Sequence, residues 1–199
     1  DYALKRPKNF INPNIDGIRK TIDYVNTIRN KPEELRDRAF ILLLADSGLR
    51  VSEACGLSIG DVDLLEGRAA ITGKGDKPAL VHISERTAQA IRDYLKSRAF
   101  IGKSAPLFIR HDKRAGGRTL AIYPSYIWHY VKQRITEAGA DPKTIRIHDF
   151  RHYFVTVVYQ SKGIKLAQKL ARHERISTTD RYTHLVEDEG EAYDEIFNR

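Results

Sequence analysis

HDFRHYF, residues 148–154, sets His148, Arg151 and His152 at i, i+3 and i+4, the spacing that brings side chains to one face of an α-helix. The spacing predicts a helix over 148–161, with these three residues in its first turn. The positive end of such a helix adds to their attraction for an anion. Two His at i and i+4 are also a zinc-chelating spacing. The zinc-protease pattern needs Glu directly after the first His, however, and this chain has Asp149 there. An Arg between the two histidines would also repel a dication. The anion reading is therefore preferred, and no metal ligand is assigned.

Working outward from this helix, the chain reads as mostly helical. Ile15, Ile18, Ile22, Val25 and Ile28 recur at helical spacing and predict an amphipathic helix over 14–30. Pro32 suits a helix start, and Leu35, Ala39, Leu42 and Leu43 mark a second helix that ends near Ser47 and Gly48. A helical turn over 51–55 follows. The pattern then changes: 69–72 and 79–83 read as two strands joined across Gly73-Lys74-Gly75-Asp76, a hairpin signature. Ser84 is the expected N-cap of a helix through Arg98, with Ala88, Ile91 and Leu95 on its buried face. A short strand is expected at 107–109 and a basic loop around Gly116-Gly117. Further helices are expected at 124–138, 164–171 and 178–185. The expected fold class is α+β, mainly helical, with one small antiparallel sheet.

Composition narrows the function. With 199 residues, 41% hydrophobic and 30% charged, the chain is long enough to bury a core and too apolar to be disordered. Its longest apolar run, Ala39 to Ala45, fits a core helix and is too short for a bilayer span. One Cys, Cys55, excludes a disulfide framework and any multi-cysteine zinc site, and makes a reducing, cytoplasmic interior the expectation. The chain has no Met and starts at Asp1, as expected of an excerpt from something longer. Net charge is +8, yet residues 187–199 hold six carboxylates against one Arg, leaving 33 Lys and Arg against 20 Asp and Glu elsewhere, a charge of +13. A body that basic suits a polyanion, and nucleic acid is the leading candidate.

Three further stretches carry chemistry-bearing residues. SGLRVSE (47–53) places Arg50 after a helix-ending Gly, with Glu53 one turn on. TGKGDK (72–77) presents Lys74 at the hairpin tip between glycines. RHERISTTDRYTHL (172–185) holds His173 and Tyr182 nine residues apart. Ten tyrosines occur in the chain, but Tyr182 lies in a polar, hydroxyl-rich segment rather than on an apolar stripe. Phosphoryl transfer at a diester needs an attacking oxygen, neutralised non-bridging oxygens and a proton for the leaving alkoxide. Two guanidiniums can fork onto phosphate oxygens, Lys can donate a proton, and His can donate or accept one near neutral pH. A phenol with a pKa of about 10 needs cations or a base to favour its oxyanion. No acidic cluster suited to Mg²⁺ appears among these stretches, so a cofactor-free, metal-independent reaction is expected.

In this order the four stretches resemble the tyrosine recombinase (phage integrase) family, especially its Xer-like members, over 47–184. The resemblance implies that family's catalytic fold and activity: site-specific DNA recombination or integration through a 3′-phosphotyrosyl intermediate. It implies catalytic roles for Arg50, Lys74, His148, Arg151, His173 and Tyr182, with Glu53 and His152 in support. Two departures stand out: Arg172 where many members have Gly, and Phe150 where Leu is common. The resemblance further implies double-stranded DNA as partner, a homotetramer on paired sites with the C-terminal tail exchanged between protomers, and nucleoid association. Lys77, Arg114, Arg118 and Lys132 are the candidate DNA contacts. The expected division is a linker and first helix over 1–31, a catalytic domain over 32–186 and an acidic tail over 187–199, with an N-terminal core-binding domain absent. A type IB topoisomerase-like strand transferase and a non-catalytic DNA-binding module are the rival readings.

Overall fold

Helix α2 (Pro32–Ser47) is the axis of the molecule. Residues Leu35 to Ala45 are all buried, so the helix is enclosed on every side rather than amphipathic. Its chain neighbours are α1 (Ile15–Val25), which the Asn14 side chain caps by accepting from Gly17 N, and α3 (Val51–Gly56). The structure is a computed structural model that describes residues 13–72, 78–99 and 102–172. Lys74, Lys77, His173, Tyr182, the expected helix at 178–185 and the acidic tail lie outside the described residues.

After α3 come a 3₁₀ turn (Ile59–Asp61) and a three-stranded antiparallel sheet in the order β1-β2-β3: β1 (Val62–Asp63), β2 (Arg68–Thr72) and β3 (Pro78–His82). Ala69 faces Val81 and Ile71 faces Ala79 across the β2–β3 ladder, and Ala69, Ile71 and Val81 point inward. Thr72 pairs with Pro78, so residues 73–77, with Lys74, connect the paired ends of the two strands. Next is α4 (Glu85–Lys96), capped by Ser84 and pinned to α2 because Asp46 accepts from Thr87 Oγ1 at 2.8 Å and Arg86 Nε at 2.7 Å. Helices α5 (Pro124–Glu137), α6 (Asp149–Lys162) and α7 (Ile164–Ala171) complete the described chain.

Helices α1, α4, α5 and α6 pack around α2, and α1 also touches α5 and α6. The core they enclose runs from Ile18 and Ile22 through Phe40, Leu42 and Leu43 to Ile91, Phe108, Ile135 and Phe150. A smaller cluster of Phe154, Val155, Ala167 and Ala171 joins α6 to α7. The α+β, mainly helical class with one small antiparallel sheet is what the structure has. Among the described residues, no helix is long and apolar enough to cross a membrane.

Three details differ from the sequence reading. Helix α1 ends at Val25 rather than Asn30, because Thr27 N and Ile28 N turn back to Tyr24 O and Val25 O, and Arg29 donates to the freed carbonyls of Asn26 and Ile28. Ile28 is still buried, which is why it kept the helical spacing. Residues 107–109 form no strand; Ile109 makes one isolated bridge to Ala121, and Leu107 N donates to Leu57 O. Strand β1 was not anticipated, since two residues are too few to show alternation.

Candidate active site

Gly48 ends α2 in the left-handed conformation, φ 61° and ψ 25°. A Cβ there would lie 2.3 Å from the Phe154 ring of α6, so the two helices approach as closely as they do only because this residue has no side chain. The chain then turns extended through Arg50, the N-cap of α3. Glu53, in the first turn of α3, reaches back: Oε2 accepts from Arg50 N at 2.8 Å and Oε1 from Arg50 Nη1 at 2.8 Å. The Glu53 side chain is 6% exposed and that of Arg50 is 39% exposed. Glu53 thus orients an arginine that still faces solvent.

The start of α6 is built in the same way. His148 occupies the N-cap position, is exposed, and accepts through its carbonyl from Arg151 N and His152 N, both at 3.1 Å. Asp149, almost wholly buried, accepts from Arg146 N at 2.8 Å and from Arg146 Nη2 at 2.9 Å. The carboxylate that follows His148 therefore fixes the loop entering α6. Arg151 is buried and donates to Gly48 O at the end of α2 and to Ala171 O at the end of α7. One guanidinium thereby ties three helix ends together.

Arg172 follows α7 and closes the arrangement. Its Nη2 lies 2.7 Å from Glu53 Oε2, the oxygen that also caps Arg50 N. Two chains of contact thus run side by side: Arg50–Glu53–Arg172, and Gly48–Arg151–Ala171. Since Gly48 precedes Arg50 by two residues and Ala171 precedes Arg172 by one, Arg50, Glu53, Arg151 and Arg172 share one corner. His148 and His152 flank Arg151 at the start of α6, and His173 follows Arg172 in the chain.

Protonation at the corner follows from this packing. Burial pushes the Glu53 carboxyl up, but hydrogen bonds from Arg50 N, Arg172 and the Arg50 guanidinium outweigh it, and the net shift is downward. Glu53 is an anion at neutral pH. Burial lowers the His152 pKa; Asp149 opposes this, while Arg146, His148 and Arg151 add to it. His152 is therefore neutral near pH 7, a hydrogen-bonding support rather than a charge. Cys55 is buried, and burial pushes its thiol up to about 12, which removes it as a nucleophile. Among the described residues no group of three or more His, Cys, Asp or Glu could hold a metal ion.

The described candidate DNA contacts, Arg114, Arg118 and Lys132, lie elsewhere. Arg114 is exposed on a 3₁₀ turn (Lys113–Ala115), and Arg118 donates back to Ala115 O at 3.2 Å. Lys132 is on the exposed side of α5, 5.5 Å from the Trp128 ring centre. This surface meets α2 at Arg36, whose Nη1 lies 3.2 Å from Tyr126 Oη. With 1.5 Å of rise per residue, that end is roughly 16 Å along α2 from Ser47. A cavity of about 370 Å³ opens here, lined among others by Arg110, Lys113, Arg114, His129, Tyr126 and Tyr130. Arg110 grips Asp112 with two bonds and, as the leading cause, holds its carboxyl down to about 2. The sequence reading missed this cavity, although Tyr123, Tyr126 and Tyr130 stand at helical spacing.

An exposed arginine, a buried arginine and the first turn of α6 with its two histidines are residue types that suit a tetrahedral oxyanion. The Phage integrase family model matches residues 16–189. The chain is 36% identical over 161 residues to a tyrosine recombinase XerD of Corynebacterium glutamicum, covering 79% of this chain and 51% of that protein. It is 36% identical over 181 residues to a tyrosine recombinase XerC of Pelobacter propionicus, covering 87% and 57% respectively. The chain thus spans about half the length of these relatives. Among solved structures, the XerH site-specific recombinase bound to its difH substrate in a pre-cleavage complex superposes with TM-score 0.71 at 26% identity, over 89% of this chain and 50% of that one.

Proposed function

The chain belongs to the phage integrase family, and on that premise we propose that it is the catalytic part of a site-specific DNA recombinase. The catalytic domain is taken as 32–186 together with α1, followed by an acidic tail over 187–199. The phenolic oxygen of Tyr182 attacks a backbone phosphorus, the bond from phosphorus to the 5′-oxygen breaks, and a 3′-phosphotyrosine forms. The phenol proton passes to an imidazole, His148 or His173, and Lys74 protonates the departing 5′-oxygen. A 5′-hydroxyl from a partner strand then reverses the step, so strands exchange without ATP. Arg50 and Arg151 neutralise the non-bridging oxygens, and Glu53 and His152 hold their neighbours in place. Losing one such donor is expected to slow cleavage by roughly 10²–10³-fold.

The single observation that supports this reading is that Arg151 donates to the carbonyl of Gly48, two residues before Arg50, although about a hundred residues separate the two arginines. Double-stranded DNA is the proposed substrate, with Lys77, Arg114, Arg118 and Lys132 on its backbone or groove. Assembly as a homotetramer on paired sites, exchange of the tail between protomers and residence at the nucleoid belong to the same proposal. A topoisomerase-like transferase and a purely binding module are less well supported, because the family match lies with recombinases.

The test is covalent trapping on nicked suicide substrates built from candidate recombination sites. The unsubstituted chain should form a protein–DNA adduct on a denaturing gel, with EDTA present as well as without. Tyr182→Phe should bind the same DNA and form none. An adduct that survives this substitution overturns the assignment.

A further inference from the structure

Among the described residues, Arg172 is the one non-glycine residue with positive φ, at 56°. Its Cβ makes that conformation costly, whereas glycine adopts it freely. Arg172 is the left-handed C-cap of α7, its N–H donating to Gln168 O and Lys169 O, so the helix end sets its backbone while Glu53 holds its side chain. Arg172 Nη2 sits 2.7 Å from Glu53 Oε2, with the two side chains 19% and 6% exposed. Arg172 Nε is buried with no hydrogen-bond acceptor among the described residues, and Nη2 to Glu53 Oε2 is the ion pair its guanidinium makes there.

The division of the Glu53 carboxylate has a consequence for Arg50. Oε2 receives Arg50 N and Arg172 Nη2, which leaves Oε1 for the Arg50 guanidinium. Arg50 is thereby held by one Nη rather than by a two-pronged fork, and its side chain stays 39% exposed. On the same side, Arg151 grips the carbonyl of Ala171, the residue before Arg172.

We propose that Arg172 is a positioning residue: by taking one oxygen of Glu53 it sets the presentation of Arg50 and fastens the end of α7, from which His173 and Tyr182 follow, to the arginine that receives the phosphate. This rests on the recombinase reading above. Arg172 itself need not touch DNA.

The experiment compares Arg172→Gly, Arg172→Lys, Glu53→Gln and the Arg172→Gly/Glu53→Gln double variant in single-turnover cleavage of the suicide substrate. Glycine suits the backbone here better than arginine does, so a contact that only stabilises the fold predicts a changed thermal midpoint but unchanged cleavage by the folded Arg172→Gly protein. Positioning predicts a cleavage rate lower by about 10- to 100-fold with DNA affinity unchanged. Lys, which keeps the strained Cβ but can still reach Glu53, should recover part of that rate. The double variant should be no slower than Glu53→Gln alone. Unchanged cleavage in Arg172→Gly, or additive losses in the double variant, overturns the proposal. So does weaker DNA binding whose salt slope has dropped by about one, which would make Arg172 a direct phosphate ligand. If the unsubstituted chain yields no Tyr182-dependent adduct, the recombinase reading has failed. The same four proteins then test the lock by urea denaturation: non-additive stabilities support the Arg172–Glu53 coupling, and additive ones overturn it.

Discussion

Gly48 makes the candidate site possible at the cost of tolerating no side chain. The left-handed backbone disfavours any Cβ, and one built there falls against the Phe154 ring at 2.3 and 2.8 Å. Gly48→Ala should therefore destabilise the chain by about 2–4 kcal/mol, combining backbone strain with overpacking. The expected readout is a lower urea midpoint at unchanged m-value. Because Arg151 donates to the Gly48 carbonyl, the same change should also impair cleavage. Gly56, with open space around it, is the control, and Gly56→Ala should leave the midpoint nearly unmoved. The sequence made Gly48 readable as a helix end, since a glycine after an apolar periodic run is a common C-terminal signal. The ring of Phe154 pressing on it was not readable, because that contact spans more than a hundred residues.

Helix α2 buries charges among its apolar residues. Arg36 is fully buried beside Asp37, Nη2 to Oδ1 2.6 Å, and Arg134 of α5 approaches the other oxygen with Nε at 3.2 Å. Arg36 also lies over the Tyr130 ring, 4.6 Å from its centre. A buried ion pair adds little over a well-packed apolar pair, but removing one partner strands the other. Asp37→Ala should destabilise the fold by about 3–5 kcal/mol, visible as a lower urea midpoint, whereas replacing Arg36 and Asp37 together with apolar residues of similar volume should cost much less. Periodicity marked this helix by Leu35, Ala39, Leu42 and Leu43, and all four are buried. It left Arg36 and Asp37 unmarked because their partner Arg134 arrives from a different helix.

Over the whole molecule, charge is the organising quantity. The chain carries +8, and deleting 187–199 removes six carboxylates and one Arg. That deletion should tighten non-specific DNA binding and steepen its salt dependence, since a more basic body releases more counterions. If the tail is exchanged between protomers, the same deletion should leave cleavage at a single site intact while weakening the joining of two sites by about tenfold or more. Sedimentation or native gels on paired sites would measure this, and unchanged assembly would rule out tail exchange.

Local pattern was enough for most of the described helices, for the Ser84 cap and for the residue types offered for chemistry. Helix α7 over 164–171 and the Ser84 cap of α4 stand where it put them. These features depend on energies that act within a turn or two, and a linear reading can see such distances. Tertiary structure alone decided that Arg36 and Asp37 are buried, that residues 107–109 make a bridge rather than a strand, and that Glu53 answers to Arg172 from 119 positions away. Those outcomes depend on which helix ends pack together, and desolvated ion pairs between distant segments leave no periodic trace in the chain that forms them.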